Sequence, residues 1–428
     1  MSQIQGLGRT DRPLTDTEVA SVCNKAFSAW DLDGKKVLLI VPDHTRTCPL
    51  PLMFRLAYEK LAPRVKTLDV LVALGTHPAM PMDRIYKLVG ITEAEHKSRY
   101  PRASFFNHEY KNPAALVKVG ALTKAQVNTI TEGRFEMDVD ITINKMVLEH
   151  DVSIIMGPVF PHEVVGFSGG NKYLFPGVSG HEIIDFFHWL GAVITNPVII
   201  GNKWTPVRKV VDQAAKLLPV EVKALCMVVK GHDLAGLYYG TSEEAWSAAA
   251  DLSNQIHITY YEKPFHTVLS CAPVMYDDLW TGGKCMYKIE PVVAEGGKVI
   301  IYAPHITEVS EVHGKTIEEI GYHTLAFFLG QWDKYKHYPW GVIAHSTHVK
   351  GIGTYIKGVE KPRVEVILAT GIPESVCRKI NLGYLDPATV RKSDYEGREA
   401  EGVLCIPKAG EMLFRWKHAP KNLGGPGK

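Results

Sequence analysis

The feature that most constrains this chain is a succession of short, unbroken apolar runs separated by stretches of helical periodicity. A run of Val, Ile and Leu without polar alternation suits a strand buried on both faces. Such strands belong to parallel sheets with helices packed on either side. In the first half the runs are KKVLLIV (35–41), LDVLVAL (68–74) and DVSIIMG (151–157). The second half offers HTVLSCA (266–272), GKVIIYA (297–303), GVIAHS (341–346) and RVEVILAT (363–370). Helical patterns lie between them at 50–62, 181–191 and 242–256. This rhythm predicts an α/β fold with mainly parallel sheets. At 428 residues the chain exceeds the size at which one core stops growing, so two domains are expected. A break near HITYYEKPF (257–265) predicts an N-terminal α/β domain over 1–260 and a C-terminal α/β domain over 261–395. The active site is expected in the cleft between them. Residues 396–428 are expected to pack back on the N-terminal domain, with the end of the tail, HAPKNLGGPGK, frayed.

Charge and cysteine content narrow the function classes. Forty-eight basic against 46 acidic residues leave a net charge of +2, which predicts no nucleic-acid partner and no membrane partner. The 7 cysteines are odd in number and have no C-x-x-C spacing, which argues against a disulfide framework and a structural zinc cluster. The opening MSQIQGLGRTDRPL lacks the apolar segment of a secretory signal, and no run reaches the ~18 apolar residues of a membrane span. A soluble, cytoplasmic protein is expected.

In open α/β sheets, ligands bind beyond the carboxyl ends of the strands. Three runs of the first half end in a polar motif. Val41 is followed by Pro42-Asp43-His44-Thr45-Arg46, Leu74 by Gly75-Thr76-His77-Pro78, and Gly157 leads to Phe160-Pro161-His162-Glu163. One such motif reads equally as a capped helix start, with Asp43 or Thr76 as N-cap. Three on successive strand ends point to a shared rim.

After His162 comes Gly166-Phe167-Ser168-Gly169-Gly170-Asn171-Lys172, then Pro176-Gly177. Paired glycines allow the backbone to approach an anion closely, and the lysine is then a counter-charge or a nucleophilic amine. Alone, the loop reads as a tight turn with a solvated lysine. It matches neither the P-loop nor the dinucleotide fingerprint. On the helical pattern that follows, His181, Asp185 and His188 share one face. His188 is a credible metal ligand, yet the sequence around it offers no second histidine at ligand spacing, no cysteine and no carboxylate triad. A metal there would take its other ligands from something that is not protein.

These motifs resemble the lactate racemase family, whose members use a nickel-pincer nucleotide. The resemblance is carried by D-H-T-R at 43–46, G-T-H at 75–77, P-H-E-V-V-G-F-S-G-G-N-K at 161–172, P-G at 176–177 and His188. It implies a cofactor of pyridinium-3,5-bisthiocarboxylic acid mononucleotide with nickel, attached covalently to Lys172, with His188 as the protein ligand to the metal. Asp43, His44, Thr45, Arg46, Ser168, Gly169 and Gly170 would line the cofactor. His77 and His162 would be the acid–base pair, and Arg46, Thr281, Lys284 and Trp332 would contact substrate. The cofactor-maturation enzymes would be transient partners.

The chemistry gives an independent reason to want these residue types. The α-proton of a 2-hydroxy acid is too weakly acidic for an imidazole to remove directly. Removal as hydride leaves a planar 2-keto acid, and return to the other face inverts the centre. The hydroxyl must lose a proton as the hydride leaves, so inversion needs one base for each enantiomer. The expected function is therefore a racemase or epimerase of a small 2-hydroxy acid. His44 stands where the family has arginine, and Thr281 where it has glutamine. With Gly282-Gly283 beside it, the shorter Thr281 leaves room for a bulkier acid, and a C2 epimerase of a sugar acid is the alternative. Readings from other classes are a zinc-dependent hydrolase built on His77, His162 and His188, and a nucleotide-binding module without turnover.

Overall fold

A computed structural model describes residues 5–425. It is an α/β protein whose larger sheets are mainly parallel. The chain divides into two compact units. The first comprises Met1–Phe160, Ser168–Ile184 and Arg208–Ile256, the second Pro161–Phe167, Asp185–Val207 and His257–Lys428. Against the expected contiguous blocks, two short segments of the first half thus belong with the second unit.

The first unit is built on a seven-stranded sheet in the order Gly6–Gly8, Asp233–Thr241, Glu221–Lys230, Val152–Pro158, Lys36–Val41, Thr67–Val72, Ala103–Asn107. The apolar runs at 35–41, 68–74 and 151–157 fall on its central strands. Val37 to Val41 are at most 1% exposed, each such side chain contributing about 1.5–3 kcal/mol relative to exposure. Pairing is parallel from Glu221–Lys230 across to Ala103–Asn107, and antiparallel only at the other edge. From Lys36–Val41 the chain steps outward to Thr67–Val72 and Ala103–Asn107, then restarts on the opposite side with Val152–Pro158. The order therefore reverses between Lys36–Val41 and Val152–Pro158, and the loops leaving their carboxyl ends diverge. A crevice at that point is where open α/β sheets take ligands.

The second unit carries a five-stranded, all-parallel sheet in the order Gly383–Tyr384, Glu365–Thr370, Val293–Ala303, Phe265–Cys271, Val403–Ile406. Its order reverses between Phe265–Cys271 and Val403–Ile406, so its own crevice opens after Cys271.

Three expectations need correction. GVIAHS (341–346) is not a strand but part of the helix Trp340–Lys350. Residues Val342 to Lys350 of that helix are all buried, and a helix sunk on every side has the same unbroken apolar look as a buried strand. The segment 396–428, expected to pack back on the N-terminal domain, groups with the second unit. It supplies Val403–Ile406 to the second sheet, and Leu413–Trp416 pairs in parallel with Ile258–Tyr261. Nor is the tail frayed through Gly425. Arg415, 6% exposed, donates to the carbonyls of Gly424, Pro197 and Ile200, and Leu423 is buried. Residues 426–428 of that tail, like residues 1–4 of the opening segment, lie outside the described residues. Among the described residues no helix is long and apolar enough to cross a membrane.

Candidate active site

The crevice of the first unit brings three of the predicted motifs together. Asp43, two residues past Val41, is 5% exposed. Its Oδ1 accepts from the Thr45 amide at 3.0 Å and the Thr45 hydroxyl at 2.7 Å, and its Oδ2 accepts from His77 Nδ1. Burial alone would raise this carboxyl. The charge and hydrogen bond of the His77 ring, then Arg46 and the Thr45 hydroxyl, together outweigh it and hold the carboxyl well below the usual carboxylate range. The His77 loop is anchored in turn: His77 N–H donates to the Leu74 carbonyl, and Gly75 N–H donates to the Gly177 carbonyl, both at 2.9 Å. His44 and Arg46 lie half-buried in the same loop as Asp43.

The glycine loop follows the strand Val152–Pro158. Ser168 is spent on the loop itself: its hydroxyl accepts from Phe160 N–H at 2.9 Å and donates to the Pro158 carbonyl at 3.3 Å. Gly169 and Gly170 sit at φ +86° and +59°, and a Cβ on Gly170 would come within 2.7 Å of Trp246 Cβ. Only glycine fits there. The turn Gly170–Tyr173 then presents Lys172, half-buried, with its amide hydrogen-bonded to the Gly169 carbonyl at 3.3 Å. Tyr173 feels the charges of Asp43 and Arg46, so this turn stands beside the Asp43 loop.

Beneath the turn is a support that the sequence reading missed. Arg208, 1% exposed, lies 3.9 Å above the Trp246 ring, donates to the Gly169 carbonyl with both terminal nitrogens at 3.4 Å, and faces Asp212 at 3.9 Å. Burial pushes the guanidinium down to about 10. Asn171 donates to Asp212 at 3.0 Å, and Trp246 Nε1 donates to the Ser168 carbonyl at 2.9 Å. Arg208 and Asp212 are one helical turn apart and read as an ordinary surface pair. Nothing in the sequence ties them to a loop some forty residues upstream.

His162, His188, Thr281, Lys284 and Trp332 belong to the second unit. His162 is 6% exposed on a two-residue strand paired with Gly166–Phe167. Its Nδ1 accepts from Val164 N–H at 3.2 Å and lies 3.3 Å from a Glu163 oxygen. Lys288 donates to the Pro161 carbonyl, fixing the hairpin from below. His188 is half-buried on the helix His181–Ile194. Asp185, one turn before it, accepts from Gly341 N–H at 2.8 Å and so caps the helix Trp340–Lys350, whereas His181 is exposed.

Thr281 and Lys284 are each 7% exposed and follow the loop leaving Cys271, at the reversal point of the second sheet. Thr281 N–H donates to Asp278 at 2.9 Å, and Lys284 Nζ sits 4.5 Å from the Tyr276 ring centre. Beside them Trp280 stacks on His345 at 4.0 Å and packs against His313 at 4.3 Å. His345 is pushed well below the ordinary histidine range, first by burial and then by the imidazoles of His348, His313 and His188. That coupling puts His188 in the neighbourhood of the Thr281–Lys284 segment. Trp332 stacks on Trp189 at 4.9 Å, adjoining His188 in sequence.

Comparison with known proteins bears on these residues. A model of the lactate racemase N-terminal domain matches residues 19–198, which contain Asp43, His77, His162, Lys172 and His188. The chain is 25% identical over 291 residues to a lactate racemase of Thermoanaerobacterium thermosaccharolyticum, covering 66% of this chain and 62% of that protein. It is 22% identical over 274 residues to a lactate racemase of Lactiplantibacillus plantarum, covering 62% and 59% respectively. The match thus spans about three fifths of the length of these curated relatives. A crystal structure of a Thermotoga maritima protein superposes with a TM-score of 0.87 at 33% identity, over 95% of this chain and 99% of that one. The lactate racemase apoprotein of T. thermosaccharolyticum superposes with a TM-score of 0.68 at 19% identity, over 96% and 95%, a likeness of fold.

Proposed function

On the match of residues 19–198 to the lactate racemase N-terminal domain, we propose that the chain is a racemase or epimerase inverting C2 of a small 2-hydroxy acid. The observation that carries the reading is the His77–Asp43 pair in the same crevice as the glycine loop that presents Lys172. The cofactor of this reading is a nickel-pincer nucleotide anchored on Lys172, with His188 as the protein ligand to nickel. The residues fit such a group. Gly75 is in a left-handed conformation, and a Cβ there would meet nothing nearer than the Pro176 carbonyl at 4.0 Å, so the backbone lies open to a ligand. Among the described residues no three His, Cys, Asp or Glu side chains are grouped to hold a metal. His188, half-buried, would be the protein's ligand to the metal.

When bound, that group would supply an acceptor for the C2 hydrogen as hydride. The protein supplies orientation and proton transfer. His77 takes the hydroxyl proton of one enantiomer at Nε2, and His162 serves the other. Arg46 and Lys284 hold the substrate carboxylate, the guanidinium by its planar fork. The cofactor-maturation enzymes act on the protein transiently, and the cytoplasm is the compartment in which it works.

The test is to produce the protein alongside those enzymes, then measure nickel and the mass of the Lys172 peptide. One equivalent of nickel and a mass increment are expected, together with loss of optical activity from a panel of 2-hydroxy acids. A substrate deuterated at C2 should keep its label through inversion, because the hydrogen moves as hydride and not as an exchangeable proton. Protein with neither nickel nor an increment would sink the reading. One observation favours a sugar acid within the same class. His345, His313 and the Tyr322 hydroxyl, 3.4 Å from His345 Nε2, put polar groups near Trp280 and Thr281 that suit the extra hydroxyls of a larger acid, whereas lactate carries only a methyl group at C2. Preferential turnover of an aldonic acid over lactate would support it. The zinc-hydrolase reading has no three-ligand group among the described residues.

A further inference from the structure

The family resemblance puts Asp43 among the residues that hold the nucleotide or the substrate anion, but its carboxylate is already engaged within the protein. Oδ1 receives two hydrogen bonds from Thr45, one from the amide and one from the hydroxyl, and Oδ2 receives His77 Nδ1. With 5% of its surface exposed, Asp43 has little left to offer a ligand. A carboxylate can only accept, so the ring nitrogen facing it must donate. A neutral imidazole with its proton on Nδ1 has its lone pair on Nε2. We propose that Asp43 is a positioning residue that locks His77 in the Nδ1–H tautomer, leaving Nε2 as the atom that takes the substrate's hydroxyl proton, and that it holds neither nucleotide nor substrate.

The proposal deepens the functional reading and rests on it for the identity of the substrate proton. In that step the hydroxyl O–H bond breaks and its proton bonds to Nε2. The C2–H electron pair leaves with its hydrogen as hydride to the cofactor, and the C–O bond becomes a carbonyl. The imidazolium so formed faces a buried carboxylate, which balances its charge. Thr45 fixes the carboxylate's orientation from within the same loop, in an Asx-type turn. His162 differs. Its Nδ1 has two competing neighbours, an amide that suits the lone pair and the Glu163 carboxylate that suits a proton. At His77 the neighbour of Nδ1 is a carboxylate, which calls for a proton there.

The geometry makes the outcome of Asp43→Asn specific. The two Thr45 donors claim the amide oxygen, so the amide nitrogen is turned toward His77 Nδ1 and donates to it. The ring is then driven to the Nε2–H tautomer, in which it has no lone pair for the substrate. The measurement is heteronuclear NMR of the full chain labelled with 15N-histidine, with His77 assigned by its loss in His77→Asn. The wild type should show a protonated Nδ1, and Asp43→Asn a protonated Nε2. In the loaded enzyme, Asp43→Asn should lower kcat by about a thousand- to ten-thousand-fold with KM nearly unchanged. Nickel content and the Lys172 mass increment should stay at wild-type levels.

Loss of nickel and of the increment in Asp43→Asn would show a cofactor-holding role and overturn the proposal. So would an Nε2–H tautomer in the wild type, a measurement that stands even if the variant fails to fold. The predicted tautomer in a wild type that turns over no 2-hydroxy acid would instead overturn the functional reading and leave the pair standing. An Nε2–H tautomer in an active wild type would do the reverse.

Discussion

At the scale of single residues, placement separates groups that touch a ligand from groups that build the loop beneath it. Ser168 lies between two glycine-bearing motifs and has a hydroxyl, which is all that sequence needs to suggest a cofactor contact. In the structure that hydroxyl accepts from Phe160 N–H and donates to the Pro158 carbonyl. Ser168→Ala should therefore cost about 1–3 kcal/mol of stability, because it strands a buried amide donor. Urea unfolding of the variant reads that cost, and nickel content should stay at the wild-type level. A stable variant that fails to load would return Ser168 to the cofactor. Asp43 follows the same logic, since its partners Thr45 and His77 come from two different strand ends.

At the scale of elements, the glycine loop depends on a buried support assembled from distant segments. Arg208 and Trp246 clamp the loop carbonyls, while Asp212 answers the arginine and Asn171. Burial raises the Asp212 carboxyl, so the arginine beside it matters. Arg208→Leu should destabilise the first unit by about 3 kcal/mol or more, because it leaves a carboxylate without its buried cation. Gly170→Ala should also destabilise, by about 2–3 kcal/mol, since it combines a left-handed φ with a Cβ set against Trp246. Thermal melts of the two variants check this, and wild-type stability in Gly170→Ala would mean that the loop is not held as described. The helix Trp340–Lys350 teaches the converse lesson. Its apolar run suggests a strand because period is erased when every face is buried, and flanking residues cannot restore it.

At the scale of the whole molecule, stability should fall in mild acid. Burial pulls His108 in the first unit down to about 4 and His348 in the second to about 3, so both are neutral in the folded state over a range where an unfolded chain binds protons. His108 donates or accepts only within the fold, through the Ser179 carbonyl at 2.9 Å and Asn144 at 3.3 Å. Below the unfolded value of about 6.5, the unfolded state takes up more protons than the folded state, so stability declines as pH drops from about 6.5 toward 4. His108 alone should contribute a loss of about 3 kcal/mol by pH 4. Urea midpoints at pH 7, 6 and 5 should fall in step, and His108→Gln should flatten part of the decline. A midpoint independent of pH over that interval would contradict the burial of these rings.

What the sequence determines by itself is the local chemistry and the class of fold. Unbroken Val, Ile and Leu runs at 35–41, 68–74, 151–157, 266–272, 297–303 and 363–370 appear as buried strands, because a strand flanked by helices on both faces leaves that mark regardless of its neighbours. The motifs at the strand ends are likewise legible, since G-G-x-K or D-H-T-R is a contiguous string. What only the tertiary structure decides is which strings meet. Sheet order, not sequence order, puts the loop after Val41 beside the loop after Pro158, and it assigns 161–167 and 185–207 to the second unit. The His77 partner of Asp43, and the partners of Gly169 and Lys288, lie far along the chain, and no period or spacing encodes them. Periodicity reports the surroundings of one element, whereas a buried hydrogen bond requires two elements to arrive at the same place.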